Sequence, residues 1–184
     1  MKLSYLLEHL EYEVCQGSDD IEVTELINDS RKVKEGSVFV CIAGAVTDGH
    51  EYIEDVASKG AAAVIVERSV NAPEGMTVIH VDDTRYALAL MSAAYFGYPA
   101  KKLNVIGITG TKGKTTTYMV KSILEGVGHK VGLIGTIETI IGDKTIPASN
   151  TTPESYTIHK YFAEMVEAGC DSVVMEVSSQ GLML

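Results

Sequence analysis

The sequence predicts an α/β protein with two successive domains. Three observations lead to this prediction. Short apolar runs of strand length alternate with segments of helical periodicity along the chain. The tripeptide Gly97-Tyr98-Pro99 interrupts that alternation, since proline cannot continue a helix. A glycine-rich turn then joins an apolar run to a helical segment, which is typical of a P-loop (Rossmann-like) domain. We therefore expect domains at residues 1–98 and 99–184.

The first domain is predicted to open with a helix and to contain a sheet. Leucines at helical spacing predict a helix over 3–10. A second helix, 50–59, is followed by Gly60 at the position of a C-cap. Asp82-Asp83 precede a third helix, 84–96, and predict its N-cap. Apolar runs predict strands at 21–26, 37–42, 62–66 and 77–81.

The second domain is predicted to begin a parallel sheet. Strands are expected at 104–109, 131–136 and 172–177, and helices at 114–127 and 154–168. A hairpin or loop is expected around Gly142-Asp143. Alternation of this kind implies parallel strands joined by crossover helices. Because the sequence stops soon after a strand, we expect it to be the front portion of a longer polypeptide, with this domain truncated.

Composition excludes several classes of protein. The net charge of −10 argues against nucleic-acid binding, which needs clustered Lys and Arg. The three cysteines, Cys15, Cys41 and Cys170, show no paired spacing, so neither a disulfide framework nor a zinc site is expected. The N-terminus does not resemble a signal peptide, and no apolar run approaches membrane length. We expect a cytoplasmic monomer with no nucleic-acid or membrane partner.

The strongest motif is the glycine-rich turn Gly107-Ile108-Thr109-Gly110-Thr111-Lys112-Gly113-Lys114-Thr115-Thr116. Glycines let backbone N–H groups converge on phosphate oxygens, and a helix N-terminus adds a favourable partial charge. Lys114 is expected to reach the β- and γ-phosphates of ATP, and the Thr115 hydroxyl to bind Mg²⁺. Ile108 stands where the usual motif has its first glycine, so a plain strand-to-helix turn is the alternative.

A second motif is the apolar run that ends in Glu176, followed by Val177-Ser178-Ser179. Ligands of open α/β sheets bind beyond the carboxyl ends of strands, so Glu176 lies at a position suited to a second Mg²⁺ ligand besides Thr115. A solvated acid is the alternative.

Two further polar segments each have two interpretations. In Ser149-Asn150-Thr151-Thr152-Pro153-Glu154-Ser155, Thr152 fits a helix N-cap with Pro153 at N1, but the same hydroxyls and amide fit a polar substrate. Asn28-Asp29-Ser30-Arg31 favours an Asx turn, but Ser30 and Arg31 equally fit a diphosphate or a uracil edge. The five histidines are scattered, and we expect surface or packing roles for them.

Together these segments resemble the Mur ligase family of cell-wall synthesis over essentially the whole chain. The glycine loop is similar to that family's TGTNGKTT loop, which also lacks the first glycine; Lys112 stands where Asn is common. Asp29-Ser30-Arg31, Gly36-Ser37-Val38-Phe39-Val40 and Asp48-Gly49-His50 resemble the branches that add the third residue and the final dipeptide. Asn150-Thr151-Thr152-Pro153 and the segment around Glu176 resemble the third-residue branch, although Gln180 stands where His is frequent.

The resemblance implies a ligase of peptidoglycan synthesis that uses ATP and Mg²⁺. Its substrates would be UDP-N-acetylmuramoyl-L-alanyl-D-glutamate and either diaminopimelate or lysine, joined through an acyl phosphate. The first domain would bind the UDP part and the second would bind ATP. The family's carbamylated lysine and C-terminal domain would lie beyond residue 184, so we expect these 184 residues alone to be inactive. A non-catalytic nucleotide-binding paralogue and the dipeptide-adding branch remain alternatives; Asp29-Ser30-Arg31 argues against folylpolyglutamate and cyanophycin synthetases.

The site residues expected from the motifs and the resemblance fall into four groups. They are catalytic Lys114 and Glu176; ATP-binding Gly110, Thr111, Lys112, Gly113, Lys114, Thr115 and Thr116; metal-binding Thr115 and Glu176; and substrate-binding Ser30, Arg31, Ala45, Val46, Thr47, Asn150, Thr151, Thr152 and Ser178.

Overall fold

The structure is a computed structural model that describes residues 1–44, 47–110, 113–179 and 181. The chain divides into two compact units, Met1–Tyr95 and Phe96–Leu184. Within the described residues each unit contains a five-stranded sheet. The predicted α/β class is therefore confirmed. The domain boundary at residue 98 and the ligand assigned to each domain stay predictions.

The first unit is built around a mixed sheet with the strand order β1-β5-β4-β3-β2. Strands β2 to β5 run parallel, and β1 pairs antiparallel with β5 at the edge. Helix α2 packs against this sheet through Val56, in a buried cluster with Phe39 and Val64. The elements are α1 (Leu3–Leu6), β1 (Glu13–Gln16), β2 (Leu26–Ile27), β3 (Val38–Val40), α2 (Ile53–Ser58), β4 (Ala63–Val66), β5 (Thr77–His80) and α3 (Thr84–Tyr95).

Two expectations for the first unit are wrong in extent, and one strand was missed. The predicted strand 21–26 contributes only Leu26 to β2, because its earlier residues bond to the N-terminus: Val23 N–H donates to the Met1 carbonyl at 2.8 Å. The helix expected over 3–10 ends at Leu6. Strand β1 was not predicted, because it is a largely exposed edge strand without an apolar pattern. The predicted cap of α3 is confirmed, since Asp83 Oδ1 accepts from the Arg85 and Tyr86 amides.

The second unit contains a sheet with the order β6-β10-β7-β8-β9. Strands β6, β10 and β7 are parallel, as predicted, and β8 and β9 form an antiparallel hairpin that turns at Gly142-Asp143. Its core includes Ile134, Phe162, Met165 and Val173. The elements are β6 (Asn104–Ile108), α4 (Gly113–Gly126), β7 (Val131–Ile134), β8 (Glu138–Ile141), β9 (Lys144–Pro147), α5 (Ser155–Glu167) and β10 (Ser172–Glu176).

The topology of the second unit brings three strand ends together. Glu176 at the end of β10 pairs with Ile108 at the end of β6, and Met175 pairs with Ile134 at the end of β7. Carboxyl ends of parallel strands share one edge of a sheet, so Glu176 lies between the start of the glycine loop and the segment after β7. Within the residues that the structure describes, no helix combines the length and apolar character needed to cross a membrane.

Candidate functional site

The glycine loop connects β6 to the N-terminus of α4. Gly110 has φ +124°, a conformation that side chains rarely adopt, and its carbonyl accepts from the Gly113 amide at 3.1 Å. Gly113 is buried at the first position of α4, where a Cβ would stand 4.0 Å from Glu176 Cγ. The predicted strand, turn and helix around this motif are thus present. Thr111 and Lys112 lie outside the described residues.

The first turn of α4 presents its polar side chains outward. Lys114, Thr115 and Thr116 are all exposed. Thr117, in contrast, is buried and its hydroxyl donates to the Gly113 carbonyl at 2.8 Å. The helix therefore begins with three consecutive exposed residues, and the buried Thr117 hydroxyl bonds back to the helix backbone. This is the arrangement expected of a phosphate-binding helix start.

Glu176 is buried at the end of β10, so it is not the solvated acid of the alternative interpretation. Its side chain is 6% exposed. Thr136 holds both carboxylate oxygens: its amide donates to Oε1 at 3.2 Å and its hydroxyl donates to Oε2 at 2.9 Å. Gly135 allows this approach, because a Cβ there would stand 2.8 Å from Oε1. Among the described residues, no Lys, Arg or His forms an ion pair with Glu176.

The chemistry of these donors fits a magnesium ion. A buried carboxylate with only neutral partners is costly, and a cation beside it would offset that cost. Glu176 and Thr115 offer a carboxylate and a hydroxyl oxygen, which are hard ligands of the kind that Mg²⁺ prefers. The described residues hold no cluster of three or more His, Cys, Asp or Glu side chains that could bind a metal. Mg²⁺ is commonly bound by one or two protein ligands together with substrate phosphates.

Three of the predicted substrate residues lie in the same cluster as Glu176. The Thr151 and Thr136 hydroxyl oxygens are 3.1 Å apart. The Thr152 hydroxyl donates to the Glu176 carbonyl at 3.1 Å and accepts from the Ser178 amide at 2.9 Å. The structure therefore joins the segment 150–153 to the end of β10.

The expectation that Thr152 caps α5 is wrong. The helix begins at Ser155, its N-cap residue is Glu154, and no side chain bonds to the first turn from that position. The Thr152 hydroxyl is instead used in the contacts with β10. A tertiary contact has thus replaced the local cap that the sequence favours.

Asn150 lines a surface pocket. Ser149, Glu154, Thr157 and Tyr161 line the pocket with it, together with Thr139, Ala148 and Pro153. The lining is rich in hydroxyl and amide groups, which suits a polar ligand.

Tyr118, one turn along α4, is a neighbour of this site that sequence reasoning missed. Its hydroxyl donates to Glu138 Oε1 at 2.7 Å. Burial, this hydrogen bond and the charges of Glu138 and Glu176 raise the pKa of Tyr118 to about 12. Tyr118 thus remains a neutral donor at pH 7. Gly135 and Thr136 were also missed, although they lie at the end of the predicted strand 131–136, and the end of a predicted strand was the signal that identified Glu176.

In the first unit, Arg31 and Ser30 occupy a short 3₁₀ turn, Ser30–Lys32. Asp29 Oδ1 accepts from the Arg31 amide at 3.1 Å, so the Asx-type turn is present. The Arg31 guanidinium also donates to both oxygens of Asp29 at 2.9 Å. Hydrogen bonding by Arg31 lowers the pKa of Asp29 to about 2. The Arg31 side chain is 87% exposed, which leaves its remaining donors accessible.

The segment after β3 is anchored at both of its ends. Ala43 and Asp48 form an antiparallel bridge, and the Thr47 carbonyl accepts from the Gly44 amide at 2.9 Å. Thr47 itself is exposed. The other two residues predicted in this loop, Ala45 and Val46, lie outside the described residues.

His50 and Arg68 hold Asp48 at the end of this loop. The His50 ring accepts from the Glu67 amide through Nε2 at 3.2 Å, so Nδ1 carries the proton and donates to Asp48 Oδ1 at 2.6 Å. Arg68 contacts the other Asp48 oxygen at 2.6 Å. The His50 side chain is 1% exposed, which agrees with the packing role predicted for it.

Two family models match this chain, one in each half. Residues 22–96 match the model described as Mur ligase family, catalytic domain, and residues 108–184 match the Mur ligase middle domain. The chain belongs to the Mur ligase family. Family members are ligases, and the resemblance read from the glycine loop and the flanking motifs is confirmed.

Two curated relatives of this Mur ligase chain carry the name UDP-N-acetylmuramoyl-L-alanyl-D-glutamate--2,6-diaminopimelate ligase. The protein of Clostridium perfringens is 50% identical over 185 residues, which is 100% of this chain and 38% of the relative. That of Bacillus licheniformis is 50% identical over 184 residues, covering 99% of this chain and 37% of the relative. The chain therefore spans less than two fifths of the length of these relatives.

Solved Mur ligase structures share the fold. A structure of UDP-N-acetylmuramoyl-L-alanyl-D-glutamate--2,6-diaminopimelate ligase aligns with a TM-score of 0.76 at 20% identity, covering 100% of this chain and 37% of that one. MurF from Acinetobacter baumannii gives a TM-score of 0.61 at 24% identity, covering 97% and 35%. MurF from Thermotoga maritima, solved in complex with ADP, gives 0.56 at 24% identity, covering 87% and 33%.

Proposed function

We propose that this chain is the nucleotide- and sugar-binding part of an ATP-dependent ligase that adds the third amino acid to UDP-N-acetylmuramoyl-L-alanyl-D-glutamate. One observation carries the proposal: a buried carboxylate, Glu176, is held at the end of β10 beside the start of α4, the helix that follows the glycine loop. The two sequence relatives described above carry this enzyme's name, which supports the third-residue branch over the dipeptide-adding branch.

The reaction has two steps. A carboxylate oxygen of the UDP-sugar peptide attacks the γ-phosphorus of ATP, which forms an acyl phosphate and releases ADP. The amine of the incoming amino acid then attacks the acyl carbon, which forms the amide and releases inorganic phosphate. The names of the relatives favour 2,6-diaminopimelate over lysine as that amino acid. The cytoplasm, where ATP is available, is the compartment that we propose.

Each residue of the second unit has a role in this scheme. The backbone amides of the glycine loop hold the phosphates, together with Thr111, Lys112 and Thr116. Lys114 carries positive charge to the β- and γ-phosphates, where charge neutralisation and positioning provide most of the catalysis. Thr115 and Glu176 hold Mg²⁺, which when bound neutralises phosphate charge.

For the sugar-peptide, each unit is assigned its own set of proposed binding residues. Asn150, Thr151, Thr152 and Ser178 serve its sugar and peptide parts in the second unit. In the first unit, Ser30, Arg31 and the loop of Ala45, Val46 and Thr47 serve its UDP part. In the first unit, Arg31 and Thr47 are exposed.

Calorimetric titration of the chain with ADP tests the nucleotide site. We expect binding that is tighter with Mg²⁺ than with EDTA, and loss of that difference in Glu176→Gln. Asp143→Asn, in the exposed hairpin turn, is the matched control for removal of one carboxylate. A wild-type chain that binds ADP equally with Mg²⁺ and with EDTA would contradict the proposed metal site.

A further inference from the structure

Thr136 joins the proposed metal site to the proposed substrate site through one hydroxyl group. Its oxygen lies 2.9 Å from Glu176 Oε2 and 3.1 Å from the Thr151 hydroxyl. Its amide fixes the second carboxylate oxygen at 3.2 Å. Neither the motifs nor the resemblance assigned a role to this residue.

The directions of these hydrogen bonds follow from counting protons. A hydroxyl has one proton and two lone pairs, and a carboxylate only accepts. The Thr136 proton therefore goes to Glu176, and the bond between the two threonines must use the Thr151 proton. Thr151 donates to Thr136, which leaves only lone pairs on the Thr151 oxygen. Thr151 is half-buried, so part of the residue remains exposed.

The same count shows that Thr152 and Ser178 are largely satisfied within the protein. Thr152 donates its proton to the Glu176 carbonyl and accepts from the Ser178 amide. The Ser178 hydroxyl lies 3.2 Å from the Thr152 oxygen, to which it donates, and it accepts from the Gly181 amide at 3.0 Å. Thr152 thus has no donor or acceptor left, whereas Thr151 has an acceptor to offer.

We propose that Thr136 is a positioning residue that orients both the Glu176 carboxylate and the Thr151 hydroxyl, and that Thr151 accepts a hydrogen bond from an N–H or O–H group of the sugar-peptide. This inference rests on the proposed function and deepens it. Thr151 selects a donor group, such as an amide N–H or a sugar hydroxyl, and does not bind a phosphate oxygen. Thr152 holds the segment 150–153 against β10, so it serves the sugar-peptide site by positioning this segment.

Four variants of the 184-residue chain test this inference: Thr136→Val, Thr136→Ser, Thr151→Val and the control Thr145→Val. Thr145 is exposed on β9 and lies outside the cluster. Each is titrated calorimetrically with ADP, in Mg²⁺ and in EDTA, and with UDP-N-acetylmuramoyl-L-alanyl-D-glutamate. The ratio of ADP affinities with and without Mg²⁺ is the deciding quantity, because a purely structural role of Thr136 would not change it.

Thr136→Val should reduce that ratio by about tenfold, because the Glu176 carboxylate loses one hydrogen bond. It should also weaken sugar-peptide binding, because the Thr151 hydroxyl loses the contact that orients it. Thr136→Ser should restore both. Thr151→Val should weaken sugar-peptide binding by about three- to tenfold and leave the Mg²⁺ ratio unchanged. Thr145→Val should change neither.

The inference is overturned if Thr136→Val leaves the Mg²⁺ ratio within about twofold of wild type, since loss of the hydroxyl should cost more. It is also overturned if Thr151→Val binds the sugar-peptide as tightly as wild type. If Thr136→Val does not fold, the sugar-peptide affinity of Thr151→Val is the test of the inference. A wild-type chain that binds neither ligand contradicts the proposed function itself, and this inference with it. Binding by wild type with unaffected variants contradicts only the inference.

Discussion

A side chain at Gly135 would occupy the space that the Glu176 carboxylate needs, because a Cβ there would lie 2.8 Å from Oε1. This contact makes Gly135 a sensitive probe of the metal site. Gly135→Ala should displace the carboxylate and remove the effect of Mg²⁺ on ADP affinity. Gly126→Ala is the matched control, since a Cβ at Gly126 meets nothing within 4 Å. Calorimetry in Mg²⁺ and in EDTA measures the effect; a Gly135→Ala chain that keeps its Mg²⁺ response would show that Glu176 is not a metal ligand.

The two lysines of α4 should differ in their effect on nucleotide affinity. Lys114 is exposed in the first turn, whereas Lys121 lies two turns further on and pairs with Glu125 at 2.5 Å. Lys114→Ala should weaken Mg-ATP binding by on the order of a hundredfold, as expected for loss of a charge-assisted contact to phosphate. Lys121→Ala should change it little. Equal losses for the two variants would mean that Lys114 acts only through long-range charge.

How far the sequence predicts this site depends on the separation of the residues in the chain. Glu176 could be predicted, because a carboxylate that ends an apolar run lies at the carboxyl end of a strand, where open α/β sheets bind their ligands. Thr136 could not, since its role requires β10 to pair with β7, and these strands are far apart in sequence. The local sequence around Thr152 fits a helix N-cap, but in the structure its hydroxyl donates to the Glu176 carbonyl instead. Strand β1 was missed because an exposed edge carries no apolar pattern.

Asp48 should make the stability of the chain depend on pH. Burial raises the pKa of Asp48, but the hydrogen bonds from His50 and the charge of Arg68 outweigh it, so the folded-state pKa lies below 3.8. A carboxylate with a depressed pKa stabilises the fold above its unfolded pKa, and this contribution is lost as the pH falls through the folded-state value.

Asp48→Asn should therefore lower the free energy of unfolding at pH 7 by about 1–3 kcal/mol, the range for a buried hydrogen-bonded charge. The difference from wild type should shrink as the pH falls below 3.8. Urea unfolding from pH 7 down to pH 3 measures it, with Asp143→Asn as the control. A difference that stays constant with pH would contradict the assigned charge interaction.

Arg31 should matter for ligand binding more than for folding. Its pair with Asp29 lies at the surface, where such pairs contribute about 0–1 kcal/mol. Arg31→Ala should leave the unfolding midpoint nearly unchanged and weaken binding of UDP-sugars without changing ADP affinity. Lys32→Ala, also beside Asp29 at 3.7 Å, is the matched control. If Arg31→Ala weakened ADP binding as much as UDP-sugar binding, the assignment of the two ligands to different units would be wrong.

The most direct test of the proposed function is titration of the chain with UDP-N-acetylmuramoyl-L-alanyl-D-glutamate. UDP-N-acetylmuramoyl-L-alanine, which lacks the D-glutamate, is the matched ligand for comparison. We predict that the first compound binds, and that it binds more tightly than the second by at least about tenfold, because the peptide residue adds contacts at the cluster around Thr151. Absence of binding, or equal affinity for the two compounds, would contradict the assignment of this chain to the third-residue ligases.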